Sequence, residues 1–428
     1  MINSIVIYIA NLEKDSKSMT PQAFSYGTLA NNGMIYMPPY GLDESLDYML
    51  KLDPNTYTVS RIKLNVSNSY EKWTTGTVVD NKIYFLPFNE DSILIVNTDD
   101  DSVEYIRLNF YGKGKYYSCH LYNNKIISLP YGVDTEYNYA VIFDISTHYV
   151  IYKNLGVNLA INDTKKWHTT QLIGNTIYGL PRGERWNKPY FPYRIEFNCD
   201  SYDYTLTDMS SLWADIDLEG FSNKKYTTVA KYKNKLFAPP YSENKNFDLL
   251  SIFDNGTWSY VNTGLKTTSR KYYSHVVASN GKIYFPPAGH EENWSEMLVI
   301  NGETNDWHTI DLGIGKESKK YFAGVENTMG KIYYIPRGGC VCEPETEWKK
   351  YGDLAEVLVV DTNTELCYTV DISEYFLDNT TIEKYNQCLI VDNKIFAFPY
   401  GESSSFQTLL VFDTITETVI KTIDLNDI

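Results

Sequence analysis

Apolar runs that end in proline recur eight times along the chain, and each is followed by a second apolar run that ends in Asp or Asn. The segments KIYFPP at 282–287 and EMLVIN at 296–301 are typical of the two kinds of run. Short runs rich in β-branched and aromatic residues, bounded by turn residues, predict strands rather than helices. The chain is therefore predicted to be all-β.

Three landmarks stay in register through all eight copies. The shared prolines are Pro39, Pro87, Pro130, Pro181, Pro240, Pro287, Pro336 and Pro399. An aromatic residue stands 14 or 15 positions before each proline: Phe24, Trp73, Tyr116, Trp167, Tyr226, Tyr272, Tyr321 and Tyr385. The second run closes at Asp53, Asn97, Asp144, Asn198, Asp254, Asn301, Asp361 and Asp413. The shared prolines are 43 to 63 residues apart, and landmarks that recur at such spacings indicate a repeat architecture. This overrides the domain count that 428 residues would suggest.

Each copy fits four antiparallel strands, named a to d. Strand a follows the upstream aromatic, an Asn-Gly or Asn-Lys turn leads into strand b, and proline ends strand b because it has no N–H for the ladder. Strand c is the second apolar run, and an Asx turn leads to a more polar strand d. Four-stranded units repeated radially form a β-propeller. We expect one eight-bladed propeller over residues 22–428, with residues 1–21 as an N-terminal extra strand or tail.

The segment NGKIYFPPAGHEENWSEMLVINGETNDW, residues 280–307, resembles a kelch repeat in the order of its GKIYF run, its apolar strand and its NDW turn. The resemblance covers residues 22–428, but Pro-x-Gly usually stands where kelch repeats have Gly-Gly. With this difference, the pattern resembles kelch-like propellers found among bacterial and phage proteins. It implies a partner-binding propeller, although one branch of the family, the galactose oxidases, is enzymatic.

Composition and charge argue against some classes of binding partner. The formal net charge of -16 argues against nucleic acid, whose phosphates need a basic footprint. No apolar stretch approaches the ~20 residues of a membrane span, and the N-terminal sequence is not typical of a signal peptide. We expect a soluble protein, located in the cytoplasm or displayed on a virion or cell surface, and the sequence leaves its oligomeric state open.

The face that carries the d–a and b–c connections holds the candidate ligand site. Lysine precedes seven of the upstream aromatics: Lys72, Lys115, Lys166, Lys225, Lys271, Lys320 and Lys384. The residue after the proline adds Tyr40, Tyr131, Arg182, Tyr241, Arg337 and Tyr400, with Phe88 in the second copy. Such a ring suits a sugar or anionic ligand, since aromatic rings stack and cations pair with acids. In the alternative interpretation the aromatic packs between blades and the lysine stem covers it, with the ammonium in solvent.

Two b–c loops are longer than the rest and add further candidates for ligand contact. The fourth copy inserts a segment with Trp186, and the seventh copy inserts one with Trp348. Aromatic residues in long loops are typical partner contacts, although they also fold back over a face. The pair Cys340 and Cys342 in the seventh loop lacks further ligands for zinc, so no metal or cofactor is predicted.

The histidines and motifs favour binding over catalysis. His120, His168 and His275 lie near strand a of different blades at unequal offsets from the upstream aromatic, which favours structural roles over a metal cluster. The sequence has no nucleophile elbow, P-loop or sialidase-type Asp box. We therefore expect a non-catalytic recognition module, a phage or bacterial surface adhesin or receptor-binding protein for glycan or protein. The alternatives are an assembly subunit and a channel-mouth hydrolase, lyase or galactose-oxidase-like enzyme.

Overall fold

The structure is a computed structural model. It describes residues 24–41, 46–67, 69–110, 112–132, 137–156, 165–183, 191–214, 224–242, 244, 246–267, 271–289, 294–314, 320–337, 354–376, 384–400 and 406–428. Thirty-two strands form eight antiparallel four-stranded sheets, each built from consecutive strands. The eight-bladed propeller predicted from the repeat is confirmed. The N-terminal segment 1–21 lies outside the described residues, so its predicted strand stays a prediction.

The strands run in the order a, b, c, d in every blade. Blade 1 holds β1 (Thr28–Leu29), β2 (Ile35–Met37), β3 (Tyr48–Leu52) and β4 (Val59–Lys63). Blade 2 holds β5 (Thr77–Val79), β6 (Lys82–Phe85), β7 (Ser92–Asn97) and β8 (Val103–Arg107). Blade 3 holds β9 (His120–Tyr122), β10 (Lys125–Ser128), β11 (Tyr139–Asp144) and β12 (Val150–Asn154). Blade 4 holds β13 (Trp167–Ile173), β14 (Thr176–Pro181), β15 (Tyr193–Asn198) and β16 (Tyr204–Asp208).

The second half of the ring repeats this arrangement. Blade 5 holds β17 (Ala230–Tyr232), β18 (Lys235–Ala238), β19 (Leu249–Asp254) and β20 (Thr257–Asn262). Blade 6 holds β21 (Val276–Val277), β22 (Lys282–Phe285), β23 (Glu296–Asn301) and β24 (Trp307–Asp311). Blade 7 holds β25 (Tyr321–Glu326), β26 (Lys331–Pro336), β27 (Glu356–Asp361) and β28 (Cys367–Asp371). Blade 8 holds β29 (Tyr385–Val391), β30 (Lys394–Pro399), β31 (Thr408–Asp413) and β32 (Thr418–Asp424).

Helix is nearly absent from the described part of the chain. It is limited to three short 3-10 turns, at Ser210–Trp213, Ser373–Tyr375 and Leu425–Asp427. Among the described residues, no helix has the length and hydropathy to cross a membrane.

The hydrophobic core lies between adjacent blades. Strands b and c carry the most deeply buried residues, as in β7, where all four residues from Ile93 to Val96 are buried. All eight upstream aromatics are buried. Trp73, for example, lies in a cluster that joins Tyr36 of blade 1 to Phe85 of blade 2. The expectation that these aromatics pack between neighbouring blades is therefore confirmed.

Asx turns connect strands c and d, as the sequence predicts. In blade 3 the Asp144 side chain accepts backbone hydrogen bonds from Ser146 (3.1 Å) and Thr147 (2.9 Å). These donors lower the pKa of the Asp144 carboxyl. Blade 5 differs, because Asn255 and Gly256 make a two-residue turn in which both residues have positive φ.

The ring closes by packing of blade 8 against blade 1, and the described strands show no exchange between these blades. The backbone N–H of Gly27 donates to Gln387 Oε1 at 2.7 Å. Gly27 also lies against the Phe398 ring, where a Cβ would come within 2.7 Å of Cε1. On the other face, Lys394 lies over the Tyr57 ring at 5.4 Å. The seam therefore has the same kinds of contact as the other blade interfaces.

Candidate functional site

A collar of backbone hydrogen bonds surrounds the channel mouth on the face that carries the d–a and b–c connections. The N–H of each repeated lysine from Lys115 onward donates to the residue after the proline of the preceding blade. The lysine C=O accepts from the equivalent residue of its own blade. Lys166 shows both bonds, from its N–H to Tyr131 O and from Arg182 N–H to its own C=O, at 2.8 and 2.9 Å. The chain of bonds runs without a break from Phe88 to Tyr400.

The repeated lysines are buried beneath this collar. All seven are at most 2% exposed, which contradicts the part of the alternative interpretation that placed their ammonium groups in solvent. The ammonium of Lys115 donates to the carbonyl of Glu90 at 2.9 Å, and that of Lys384 donates to Leu354 O at 3.2 Å. Both acceptors belong to the b–c loop of the preceding blade. The lysine side chain therefore links one blade to the next by hydrogen bonds. The predicted contact between these lysines and a ligand stays a prediction.

Burial lowers the pKa of two of these lysines, which has a consequence for stability. The pKa of Lys166 falls to about 8 and that of Lys225 to about 7, because the charged form is desolvated. The Lys225 ammonium lies over the rings of Trp213 and Phe247, at 5.6 and 5.1 Å from their centroids. Above pH 7 the unfolded chain, with its ordinary lysine pKa near 10.5, binds more protons than the folded protein.

We therefore expect the free energy of unfolding to rise between pH 7 and pH 9. The Lys225 contribution to this rise is about 2 kcal/mol. Urea unfolding at both pH values, for the wild type and for Lys225→Met, measures it as the difference between the two pH responses. Equal responses in the two proteins would show that Lys225 keeps its charge in the folded state.

Four aromatic side chains from different blades contact one another in the space that the collar surrounds. Tyr26 and Tyr117 meet through their hydroxyls at 3.1 Å, and the Tyr117 ring lies 3.9 Å from the His168 ring. The His168 ring contacts Tyr273 with centroids 5.8 Å apart. These residues come from blades 1, 3, 4 and 6, so two of the three contacts join blades that are not adjacent in the ring. We call these four residues the channel plug.

The residues after the shared prolines surround the mouth just above the plug. Tyr40 packs edge-on against Tyr26 at 4.7 Å, and Phe88 lies 5.9 Å from Tyr131. Two positions carry arginine in place of an aromatic residue, at Arg182 and Arg337. The residues after the prolines therefore form a largely aromatic wall that includes two arginine side chains.

A cavity of about 310 Å³ opens above the plug. Its volume is at the lower end of the range of small-molecule sites, about 300–1,000 Å³. Its wall is formed by Tyr26, Tyr40, Tyr70, Glu71, Phe88, Asn89, Lys113, Gly114, Tyr117, Tyr131, Lys165, His168, Arg182, Tyr273, Arg337, Asn386 and Tyr400. Eight of these residues are Tyr or Phe, and five are charged. We call this space the mouth cavity.

Glu71 is the one carboxylate among the described residues of the mouth cavity. Desolvation raises the pKa of Glu71, and the positive charge of Lys165 partly opposes this effect. Its backbone has a φ of 48°, a left-handed value that is uncommon outside glycine. A carboxyl with a raised pKa that lines a cavity is a candidate functional residue.

The histidines near strand a have structural partners on adjacent blades, as expected. His120 Nε2 lies 2.7 Å from Thr170 Oγ1, and His275 Nδ1 lies 2.6 Å from Thr228 Oγ1. His168 Nδ1 lies 2.8 Å from the carbonyl of Thr227, which fixes the proton on Nδ1. Burial lowers the pKa of His120 and His275 to about 4, so both rings are neutral at pH 7.

No group of three potential metal ligands occurs within the described ranges. The pair Cys340 and Cys342 lies outside them, as do Trp186 and Trp348 of the long loops. Their predicted roles are therefore still predictions.

The mouth cavity contains only part of the predicted ligand site. It brings together Tyr40, Tyr131, Arg182, Arg337 and Tyr400. Tyr241 instead packs against Tyr273 beside the cavity, at 5.7 Å. Sequence reasoning missed Tyr26, Tyr117 and Tyr273 of the plug and assigned His168 a structural role. It also missed Tyr70, Glu71, Asn89, Lys113 and Lys165. The available signal was the position directly after the upstream aromatic, which holds Tyr117, His168 and Tyr273.

Comparison with known proteins gives fold similarity alone. No family model matches the chain, and no curated protein sequence matches it. Among solved structures, the dihydro-heme d1 dehydrogenase NirN in complex with DHE has a TM-score of 0.57 and 8% identity, over 89% of this chain and 72% of that chain. AztD from Citrobacter koseri has a TM-score of 0.49 and 10% identity, over 89% and 93% of the two chains. YCF48 bound to D1 peptide has a TM-score of 0.45 and 9% identity, over 77% and 87%. The chain is thus similar in fold to other β-propellers.

Proposed function

We propose that this protein is a non-catalytic recognition module, and that the mouth cavity receives the terminal residue of a glycan. The observation that carries the proposal is the aromatic lining of the cavity. Rings such as Tyr40, Phe88 and Tyr131 offer apolar faces to a sugar ring, and tyrosine hydroxyls add hydrogen bonds. Because the plug residues contact one another and line this cavity, we expect the ligand to enter it by its end.

The rigid collar supports a binding role. Backbone hydrogen bonds and buried lysines hold the wall of the mouth cavity in place, so little conformational entropy is lost when a ligand binds. Glycoside hydrolysis usually needs two carboxylates, and Glu71 is the single carboxylate that the described residues contribute. This composition favours recognition over hydrolysis. A kelch-like surface adhesin or receptor-binding protein of a phage or bacterium is the biological setting we propose.

The test is a glycan-array screen followed by calorimetry on the best ligand. We expect Phe88→Ala and Tyr70→Ala each to weaken binding about 30-fold, the loss of about 2 kcal/mol typical of an aromatic contact at the centre of a site. Tyr149→Ala is the control, because Tyr149 is 66% exposed on the c–d turn of blade 3 and does not line the cavity. Thermal unfolding of each variant distinguishes the loss of a ligand contact from the loss of the folded structure.

Each other outcome points to a different function. Undiminished glycan binding in both aromatic variants would move the site away from the mouth cavity, towards the long loops around Trp186 and Trp348. Absence of glycan binding in the wild type would overturn the proposal and favour a protein partner or an assembly role.

A further inference from the structure

A second cavity, of about 380 Å³, lies where the outer strands of blades 4 and 5 meet. Blade 4 contributes Arg194 and Glu196 of β15 and Thr207 of β16 to its wall, and blade 5 contributes Trp258 and Tyr260 of β20. None of these residues lines the mouth cavity. Its volume is within the range of small-molecule sites, about 300–1,000 Å³. We call this space the edge cavity.

Arg194 and Glu196 depart from the repeat at positions that otherwise belong to the core. Arg194 stands four residues before the Asn that closes strand c. In the other seven blades this position is apolar and fully buried, at Met49, Ile93, Ala140, Leu250, Met297, Val357 and Leu409. The position of Glu196 is apolar in six of the other seven blades. Charged side chains are costly at such places, and residues that break a local rule concentrate at functional sites.

A stabilising role does not account for Arg194. Its Nη2 lies 3.2 Å from Glu196 Oε1, so the two charges form a pair. The Nε of Arg194, however, is buried and has no hydrogen-bond partner in the part of the chain that the structure describes. An unsatisfied buried donor lowers stability, and the apolar residues of the other blades avoid this cost.

The c–d turn of blade 5 borders the edge cavity and is the shortest of the eight. It has two residues between strands c and d, whereas each of the other blades has at least four. In blade 7, the longer turn carries Glu365, whose carboxylate accepts from Lys282 of blade 6 at 2.7 Å. In blade 5, Gly256 and Thr257 line the edge cavity, and Gly256 has no side chain to fill it.

Arg194 orients two hydroxyl groups of the wall. Its Nη1 donates to the Tyr260 hydroxyl at 2.9 Å, and its Nη2 donates to Thr207 Oγ1 at 3.2 Å. The guanidinium carbon lies 5.0 Å from the centroid of the Trp258 ring, which helps to fix its plane. Because each hydroxyl accepts a hydrogen bond from Arg194, its own hydrogen can be donated to a ligand.

Glu196 adds an acceptor beside these two donors. Its Oε1 accepts from the indole N–H of Trp258 at 3.3 Å and lies against Arg194. Its Oε2 accepts no hydrogen bond from the described residues, and the side chain is 33% exposed. A carboxylate oxygen can accept more than one hydrogen bond, so Oε2 is available to a ligand in the edge cavity.

We infer that the edge cavity is a second sugar-binding site. Sugar hydroxyls both donate and accept, so they match the Glu196 carboxylate beside the hydroxyls of Thr207 and Tyr260. The Trp258 ring and Leu212, which is 36% exposed, offer apolar contact to the carbon atoms of a sugar. The inference takes its class of ligand from the proposed function and adds a second site to it. Two sites on one rigid scaffold raise the apparent affinity for a long glycan.

The experiment counts bound sugar by equilibrium dialysis. The probes are the methyl glycosides of glucose, galactose, mannose and N-acetylglucosamine, and we expect the wild type to bind at least one of them at two sites per chain. The double variant Arg194→Ala, Glu196→Ile carries the residues that blade 3 has at these positions, Ala140 and Ile142, so it should fold. It should lose the edge site and keep the other site. Glu196→Gln should weaken the edge site about tenfold, because a charge-assisted hydrogen bond is lost.

Arg61→Ala is the matched control. Arg61 also lies over an aromatic ring, that of Tyr48 at 4.2 Å, but it lines neither cavity, so the variant should keep both sites. A single wild-type site that Phe88→Ala removes and the double variant keeps would overturn the inference and leave the proposed function standing. Two sites that both survive the double variant would overturn it as well.

The remaining outcomes separate the two cavities. A single site that the double variant removes and Phe88→Ala keeps would support the edge site and move glycan recognition away from the mouth cavity. Absence of binding for all four probes would overturn the inference, and an empty glycan array in addition would overturn the proposed function.

Discussion

Replacing Trp167 with alanine is expected to lower the free energy of unfolding by about 4 kcal/mol, the range for removal of a large aromatic side chain from a core. Trp167 is 1% exposed and lies in a cluster that joins Ile127 and Ile142 of blade 3 to Ile195 of blade 4. Its indole N–H also donates to the carbonyl of Tyr193 at 2.9 Å. The substitution therefore removes packing at an interface between blades and one buried hydrogen bond.

The backbone around this indole is fitted to the ring and does not close over the space when the indole is removed. Gly179 stands directly against it, since a Cβ there would come within 2.8 Å of Cδ1 of Trp167. The backbone approach that makes room for tryptophan would become a cavity in the alanine variant. A cavity that cannot relax adds to the loss of transfer free energy, which places the expected cost at the upper end for a single residue.

Urea unfolding measures this cost, with Trp167→Phe as the milder variant in case the alanine protein does not fold. Leu366→Ala is the control, because Leu366 is 69% exposed and should change stability by less than about 0.5 kcal/mol. A loss near that of the control for Trp167→Ala would show that the repeated aromatics do not hold the blades together.

The fold was predictable because the repeat presents the same local information eight times. The spacing from Tyr272 to Pro287 to Asn301 resembles that in the other copies, and each landmark has a physical role. The aromatic fills the interface between blades, the proline ends strand b and the Asn side chain closes the c–d turn. A wrong strand assignment in one copy is corrected by comparison with the other seven copies. A strand pattern that occurs once offers no such comparison.

The candidate site was only partly predictable, because it forms between copies that are far apart in sequence. The plug joins Tyr26 to Tyr117 and His168 to Tyr273, pairs that become neighbours only when the ring is closed. Arg337 was identified from its place after a proline, but its stacking on Phe322 and Tyr400 depends on the assembled face. The position of a residue in the repeat could be predicted from the sequence, whereas the direction of its side chain could not.

The lysines show this limit most clearly. A lysine next to a buried aromatic fits either a solvent-exposed ammonium or a buried one, and both have the same sequence. What decides is the b–c loop of the preceding blade, whose carbonyls surround the ammonium. For Lys271 these acceptors include the carbonyls of Ser242 and Asn244, almost thirty residues earlier in the chain, at 3.0 and 3.1 Å.

Replacing Lys271 with alanine is expected to lower the free energy of unfolding by about 3 kcal/mol and to leave the ligand affinity of the folded protein unchanged. Lys271 is fully buried, and its ammonium also lies 3.4 Å from the carbonyl of Thr267. Alanine removes a charge-assisted donor shared by three carbonyls and leaves space where the stem was. Lys271→Met keeps the stem, so its loss should be smaller and should report the hydrogen bonds.

Lys266→Ala provides the control, because Lys266 is an exposed lysine of the same connection and its removal should cost less than about 0.5 kcal/mol. Thermal unfolding and calorimetry on the same samples separate the two possible roles of Lys271. If Lys271→Ala kept its stability but lost ligand affinity, the ammonium would contact the ligand, as the sequence pattern first suggested. Lost stability with retained affinity would instead show that the repeated lysine stabilises the contact between blades and does not bind the ligand.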